Sequence, residues 1–177
     1  EPKRVEALRD QRVCIVAAGA CHSLAISCAG DLYSWGDGSL GKLGHGDESD
    51  QPLPKCVEAE GLREGVRGVA AGYFVSVAIT ASGALYTWGC NAYGQLGHGD
   101  QANRSRPERV VALQQERVRC VAASQTHALA VTGSGELYTW GSNNYGQLGR
   151  APEEEEPEDL VPTLVEGLDP ICAVAAG

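Results

Sequence analysis

The pentapeptide Leu-Tyr-(Ser/Thr)-Trp-Gly occurs three times in this chain, at Leu32 to Gly36, Leu85 to Gly89 and Leu137 to Gly141. Trp35 and Trp88 stand 53 residues apart, and Trp88 and Trp140 stand 52 apart. Each copy is followed by Gly-x-Leu-Gly, at 41–44, 94–97 and 146–149. Ala-Ala-Gly keeps the same phase at 17–19, 70–72 and 175–177, and becomes Ala-Ala-Ser at 122–124. A period this regular marks an array of one supersecondary unit. It limits function as well as fold, because a residue present in every unit builds the unit.

Each unit reads as four short strands. Val13 to Ala18 and Ser23 to Ser27 are small or β-branched, suited to crowded positions near an axis. Asp31 to Trp35 alternates, with Leu32 and Ser34 on one face and Tyr33 and Trp35 on the other. Glycine-bearing turns, such as Cys28-Ala29-Gly30, join the second strand to the third. Pro2, Pro54, Pro107 and Pro162 each open a Pro-x-x-Val segment. A proline lacks the backbone donor, so it is expected to begin an outer, edge-like fourth strand. No long helical period is present. The expected class is all-β: a β-propeller fragment of about three four-stranded antiparallel blades, with partial strands at both ends. Residues 1–177 then form part of one propeller domain, with repeats at approximately 12–59, 65–111 and 117–165. Segments 1–8 and 170–177 belong to incomplete flanking repeats. A single sheet cannot cover both of its faces, so blades need neighbours. Trp35, Trp88 and Trp140, with Leu32, Leu85 and Leu137, are the expected packing between blades, each buried side chain contributing about 1.5–3 kcal/mol.

Residues 118–149 run Val-x-x-Val-Ala-Ala, then His-Ala-Leu-Ala-Val-Thr, then Leu-Tyr-Thr-Trp-Gly-Ser-Asn-Asn-Tyr-Gly-Gln-Leu-Gly. This run resembles the repeat of the regulator of chromosome condensation family. Residues 66–100 carry the same pattern with Tyr73-Phe74-Val75 where the histidine segment sits. The resemblance implies a seven-bladed propeller, of which this chain supplies about three repeats. It also implies a non-catalytic protein–protein interaction platform, as the family provides in ubiquitin ligases, ciliary proteins and kinases. The alternative that it implies is guanine nucleotide exchange on a small, Ran-like GTPase, which needs loop insertions on one face. No long hairpin protrudes between these repeats. A plant UV-B photoreceptor in the family stacks extra tryptophans at the propeller face, whereas all three tryptophans here belong to the repeat strand. The chain contains no Met and starts on a fourth-strand segment. It is therefore read as part of a larger propeller-containing protein.

The net charge is -9, from 14 basic and 23 acidic residues, which argues against a large nucleic-acid footprint. No stretch reaches the ~18 apolar residues of a membrane span. Seven cysteines, at 14, 21, 28, 56, 90, 120 and 172, are odd in number and share no repeat position. They read as reduced, mostly buried thiols of an intracellular protein, with cytoplasmic, cytoskeletal or ciliary, and nuclear sites all open. Asn103-Arg104-Ser105 is a formal glycosylation sequon that an intracellular protein would not use.

Gly41 to Gly46 and Gly94 to Gly99 look like phosphate-cradling loops, but no helix follows to supply free amides. They read as tight connections between the third and fourth strands. His22 and His127 share one repeat position, and His45 and His98 another, which points to a hydrogen-bonding task inside each blade. No Cys-x-x-Cys or His-x-x-x-His spacing supports a metal. Asp47 and Asp100 read as turn-capping carboxylates. Catalytic, cofactor and metal residues are therefore none, and no enzyme is expected. Departures from the repeat are the candidates for partner binding. One is the acidic insertion Glu153, Glu154, Glu155 and Glu156, an electrostatic docking point for a basic partner. The other is Tyr73 with Phe74, where core packing competes with a contact at the propeller face.

Overall fold

The structure is a computed structural model that describes residues 1–151 and 158–177. Among the described residues twelve strands occur in chain order: β1 Val13–Ala18, β2 His22–Ser27, β3 Leu32–Gly36, β4 Gln51–Cys56, β5 Val66–Ala71 and β6 Val75–Thr80. Then follow β7 Leu85–Gly89, β8 Arg104–Arg109, β9 Val118–Ala123, β10 His127–Thr132, β11 Leu137–Ser142 and β12 Glu158–Leu164. They form three separate antiparallel sheets, β1–β4, β5–β8 and β9–β12, each in simple up-and-down order. The first strands β1, β5 and β9 are neighbours across sheets, so the sheets stand side by side around one axis. This is the propeller arrangement, with three blades.

The apolar residues gather in the two seams between blades. The first seam buries Leu24, Ile26 and Leu32 of blade 1 against Val66, Ala78 and Trp88 of blade 2. The second buries Val75, Val77 and Ile79 of blade 2 against Val118, Ala130 and Trp140 of blade 3. Short 3-10 turns after the outer strands drop Leu62 into the first seam and Leu113 into the second. Trp88 and Trp140 are wholly buried, as the alternation in β7 and β11 predicts, while Trp35 is half-buried. Gly36, Gly89 and Gly141 close these strands at φ 110°, 109° and 101°. A Cβ at Gly89 would run into the Phe74 carbonyl, so only glycine fits there.

Three sequence expectations need correction. The repeat proline does not begin the fourth strand; Pro54, Pro107 and Pro162 lie inside β4, β8 and β12. Each sits in a bulge opposite the tryptophan, between the pairs Ser34–Lys55 and Gly36–Gln51 in blade 1. An outer strand asks no ladder bond of that residue, so the missing donor costs little there. The flanking segments 1–8 and 170–177 carry a 3-10 turn at Glu6–Leu8 and otherwise irregular chain rather than strands, because none of their residues joins a ladder with the described sheets. The cysteines are neither all reduced nor mostly buried. Cys14 and Cys28 form a disulfide, Cys21, Cys56 and Cys172 are exposed, and Cys90 and Cys120 are half-buried. The buried layers are already filled by valine, leucine and tryptophan, which leaves the cysteines on edges and turns.

Candidate interaction surface and the seam behind it

Antiparallel order sends alternate connections to opposite ends of the blades. The upper face carries 19–21, 72–74 and 124–126, together with the longer β3–β4 and β7–β8 connections and residues 143–151 after β11. Tyr73 and Phe74 belong to this face by chain order. Glu153 to Glu156 lie outside the described residues; the residues flanking that segment, Arg150 and Asp159, form an ion pair.

Tyr73 and Phe74 are adjacent but differently placed. Tyr73 is 46% exposed and meets Phe74 edge to face, with ring centroids 4.5 Å apart. Phe74 is half-buried, with the Lys42 ammonium 5.4 Å above its ring centre. Lys42 is itself wholly buried, where the other repeats place Gln95 and Gln147. Its Nζ donates to Asp37 Oδ1 at 2.8 Å, Ser39 Oγ at 2.7 Å and the Ser39 carbonyl at 3.2 Å. The Lys42 bond holds the Asp37 carboxyl well below the usual carboxylate range. Three departures from the repeat, Asp37, Lys42 and Phe74, thus meet across one seam. Gln95 does the neutral version, accepting from the Tyr93 amide at 2.8 Å and donating to the Gln125 carbonyl at 3.2 Å.

His22 corrects the expectation of a task inside one blade. Its Nε2 lies 2.8 Å from Ser76 Oγ in blade 2, and Ser76 donates onward to the Lys42 carbonyl at 2.7 Å. With the hydroxyl proton committed to that carbonyl, Nε2 carries the donor, and buried Nδ1 has no partner among the described residues. Burial, with Lys42 adding to it, pushes the His22 pKa down to about 4. His127 instead meets Ser124 Oγ through Nδ1 at 2.7 Å within its own blade. His45 and His98 do act inside their blades, each with Nε2 3.0 Å from the hydroxyl of Ser34 or Thr87. Arg150 takes that position in blade 3, donating to Thr139 Oγ1 at 2.8 Å and to the Thr139 carbonyl at 3.1 Å. Asp47 and Asp100 cap turns, each accepting a backbone amide at 2.9 Å, from Ser49 and Ala102. Among the described residues no group of three His, Cys, Asp or Glu is placed to hold a metal.

Sequence reasoning missed the rest of the aromatic surface. Tyr93 is 39% exposed and Tyr145 95% exposed, at one repeat position that was absorbed into the loop motif. Both line a shallow depression of about 450 Å³ with Gln125 and His127. Tyr73 and Gln125 line a second, of about 400 Å³, at the ends of the inner strands. Leu40 holds the Tyr93 position in blade 1 at φ 59°, a left-handed conformation that leucine rarely adopts. Asp47, Glu48 and Asp50 stand exposed on the same face. The signal available in sequence was exposure of a large aromatic in a glycine loop, where nothing apolar is needed for packing.

Three four-stranded sheets in a ring segment, sealed by tryptophan seams, define a β-propeller repeat protein. The profile described as Regulator of chromosome condensation (RCC1) repeat matches residues 29–79, 82–131 and 134–177. A second profile of the same description matches 13–42, 66–95 and 118–147. The chain belongs to the RCC1 repeat family. It is 40% identical over 148 residues to the ultraviolet-B receptor UVR8 of Arabidopsis thaliana, covering 84% of this chain and 33% of the receptor. It is 36% identical over 201 residues to the E3 ubiquitin-protein ligase HERC2 of Homo sapiens, covering 84% of this chain and 4% of the ligase. Among solved structures, human WBSCR16 superposes with a TM-score of 0.83 at 27% identity, over 94% of this chain and 43% of that one. Yeast RCC1 (Prp20), solved with Kap60 bound, superposes at 0.80 and 25% identity, over 94% and 40%. The chain spans about a third or less of the curated relatives named here.

Proposed function

We propose that this chain is part of a non-catalytic protein-interaction platform whose upper face receives a basic partner segment. The observation that carries the reading is the gathering of exposed Tyr73, Tyr93 and Tyr145 on one face, whereas Trp88 and Trp140 close the seams. Exposed tyrosines that stabilise no core are costly in water and are favoured anchors in interfaces. Exposed Asp47, Glu48 and Asp50 give that face a negative rim, and the acidic run Glu153 to Glu156, outside the described residues, is the second acidic candidate for the partner. Such a rim attracts arginine or lysine from a distance, and arginine also stacks on tyrosine. Relatives support protein partners in general: yeast RCC1 (Prp20) was solved bound to Kap60, and a structure of Prp20p is described with its binding to Gsp1p and histones. No described helix is long and apolar enough to cross a membrane. We infer that the protein is intracellular, a reading supported by an odd number of cysteines without paired spacings.

The test uses the full-length protein and fluorescent peptides that are Arg-rich, Lys-rich or Glu-rich. The Arg-rich peptide is expected to bind, more weakly as salt rises. Tyr73→Ala with Tyr145→Ala, or neutralising Glu153 to Glu156 to Gln, should each weaken it about ten-fold or more. Binding indifferent to both changes, or equal binding of the Glu-rich peptide, would refute the assignment. Exchange activity is separated by nucleotide release: a small GTPase released faster by the protein would put the exchange reading in its place.

A further inference from the structure

Each inner strand starts with a bulge, and the bulged residue is Arg67 in β5, Arg119 in β9 and Cys14 in β1. The two arginines cross their seams. Arg67 donates from Nε to the Thr80 carbonyl of its own blade at 3.0 Å, and from Nη2 to the Val118 carbonyl of the next. Arg119 donates to the Ile171 carbonyl at 2.9 Å and the Cys172 carbonyl at 3.2 Å. Beside each arginine runs a backbone bond closing the same seam. The Val118 amide donates to the Gly83 carbonyl at 3.0 Å, and the Ile171 amide to the Gly135 carbonyl at 2.8 Å. The first seam has the matching backbone bond, Val66 amide to Gly30 carbonyl at 2.8 Å. It has no arginine. Cys14 is too short to reach across to β5 and is bonded instead to Cys28, the residue that opens the turn leading to Gly30.

We propose that the Cys14–Cys28 pair is a redox-switchable clasp that replaces the seam arginine between blades 1 and 2. Oxidised, it fastens the Cys28–Gly30 turn to β1 and presents the Gly30 carbonyl to Val66. Reduced, that turn is held to β1 only by backbone bonds such as Cys28 amide to Arg12 carbonyl, 2.7 Å. The blades around the other two seams have Ala81 and Gly133 at the Cys28 position, so no other turn depends on a sulfur. Both cysteines are exposed, on the end of the blades opposite Tyr73, and so open to a cellular dithiol. A thiolate of that dithiol attacks one sulfur of the pair, and the other departs as a thiolate that takes up a proton. The second thiol of the reductant then displaces the first cysteine, which is protonated in turn. Two electrons and two protons pass to the pair, and the reductant leaves as a disulfide. Inside a cell, where lasting disulfides are rare, a reversible pair is the form such a bond takes.

The experiment is amide hydrogen exchange on the full-length protein, before and after reduction with dithiothreitol, with differential alkylation and mass spectrometry to follow the two thiols. Reduction is expected to speed exchange of the Val66 amide about ten-fold, leaving the Val118 amide within about two-fold as an internal reference. Cys14→Ser with Cys28→Ser should reproduce the reduced state, and Cys14→Arg should hold Val66 protected with or without reductant. Val66 exchange unchanged by reduction and by the double serine variant would overturn the proposal. So would alkylation of both thiols in protein kept under oxidised glutathione.

Discussion

His22 makes the first seam sensitive to acid. Its pKa falls from an ordinary 6.5 to about 4 on folding, because the buried ring faces the Lys42 ammonium and its Nδ1 has no acceptor for a second proton. The unfolded chain therefore binds the proton that the folded chain refuses. Stability is fully present above about pH 6.5 and is lost as pH falls towards 4, by up to ~3 kcal/mol. Burial also lowers the pKa values of His45, His98 and His127, so their contributions share the sign. Asp37 acts in a separate window, below its ordinary 3.8, where protonation would end its bond with Lys42. Urea midpoints should drop between pH 7.5 and 4.5, and His22→Gln, which keeps a donor for Ser76, should flatten the slope. A variant with the wild-type slope would remove His22 from the account.

The strand ends show what a regular repeat demands of its elements. Gly89 ends β7 at φ 109° with its missing Cβ against the Phe74 carbonyl. Gly89→Ala combines a disfavoured backbone with a collision and should cost at least ~2 kcal/mol, read as a lower urea midpoint at unchanged slope. Glycine, tryptophan and the alternation of β3, β7 and β11 were all legible in sequence, because each is a property of one strand repeated three times. The proline bulge was not, since its place depends on which residues of the outer strand pair with β3. The task of His22 was hidden for the same kind of reason: its partner Ser76 lies in the next blade, 54 residues on. Tyr73 could be picked as a departure, yet its separation from Phe74 needed the buried Lys42 to be seen against the Phe74 ring. Cys14 and Cys28 share no repeat position, so spacing alone offered no pairing.

Across the whole chain, stability resides between blades rather than within them. Trp88 belongs to the cluster joining blades 1 and 2, and Trp140 to the cluster joining blades 2 and 3. Each indole also donates into the loop of the preceding blade, Trp88 to the Lys42 carbonyl at 2.9 Å and Trp140 to the Gln95 carbonyl at 2.8 Å. The two clusters share no residue, and blade 2 alone supplies side chains to both. Such an array behaves as units coupled to nearest neighbours. Trp140→Ala removes a buried indole and its hydrogen bond, a loss of about 3–5 kcal/mol. If coupling runs only between neighbours, amides of β9–β12 should lose protection in that variant while those of β1–β4 keep most of theirs. Trp88→Ala should do the reverse, exposing β1–β4 and sparing the inner pairs of β9–β12. Hydrogen exchange resolved by blade reads both variants in one measurement. Equal loss in all three blades from either substitution would mean that the seams open together, and that blade 2 transmits strain instead of isolating it.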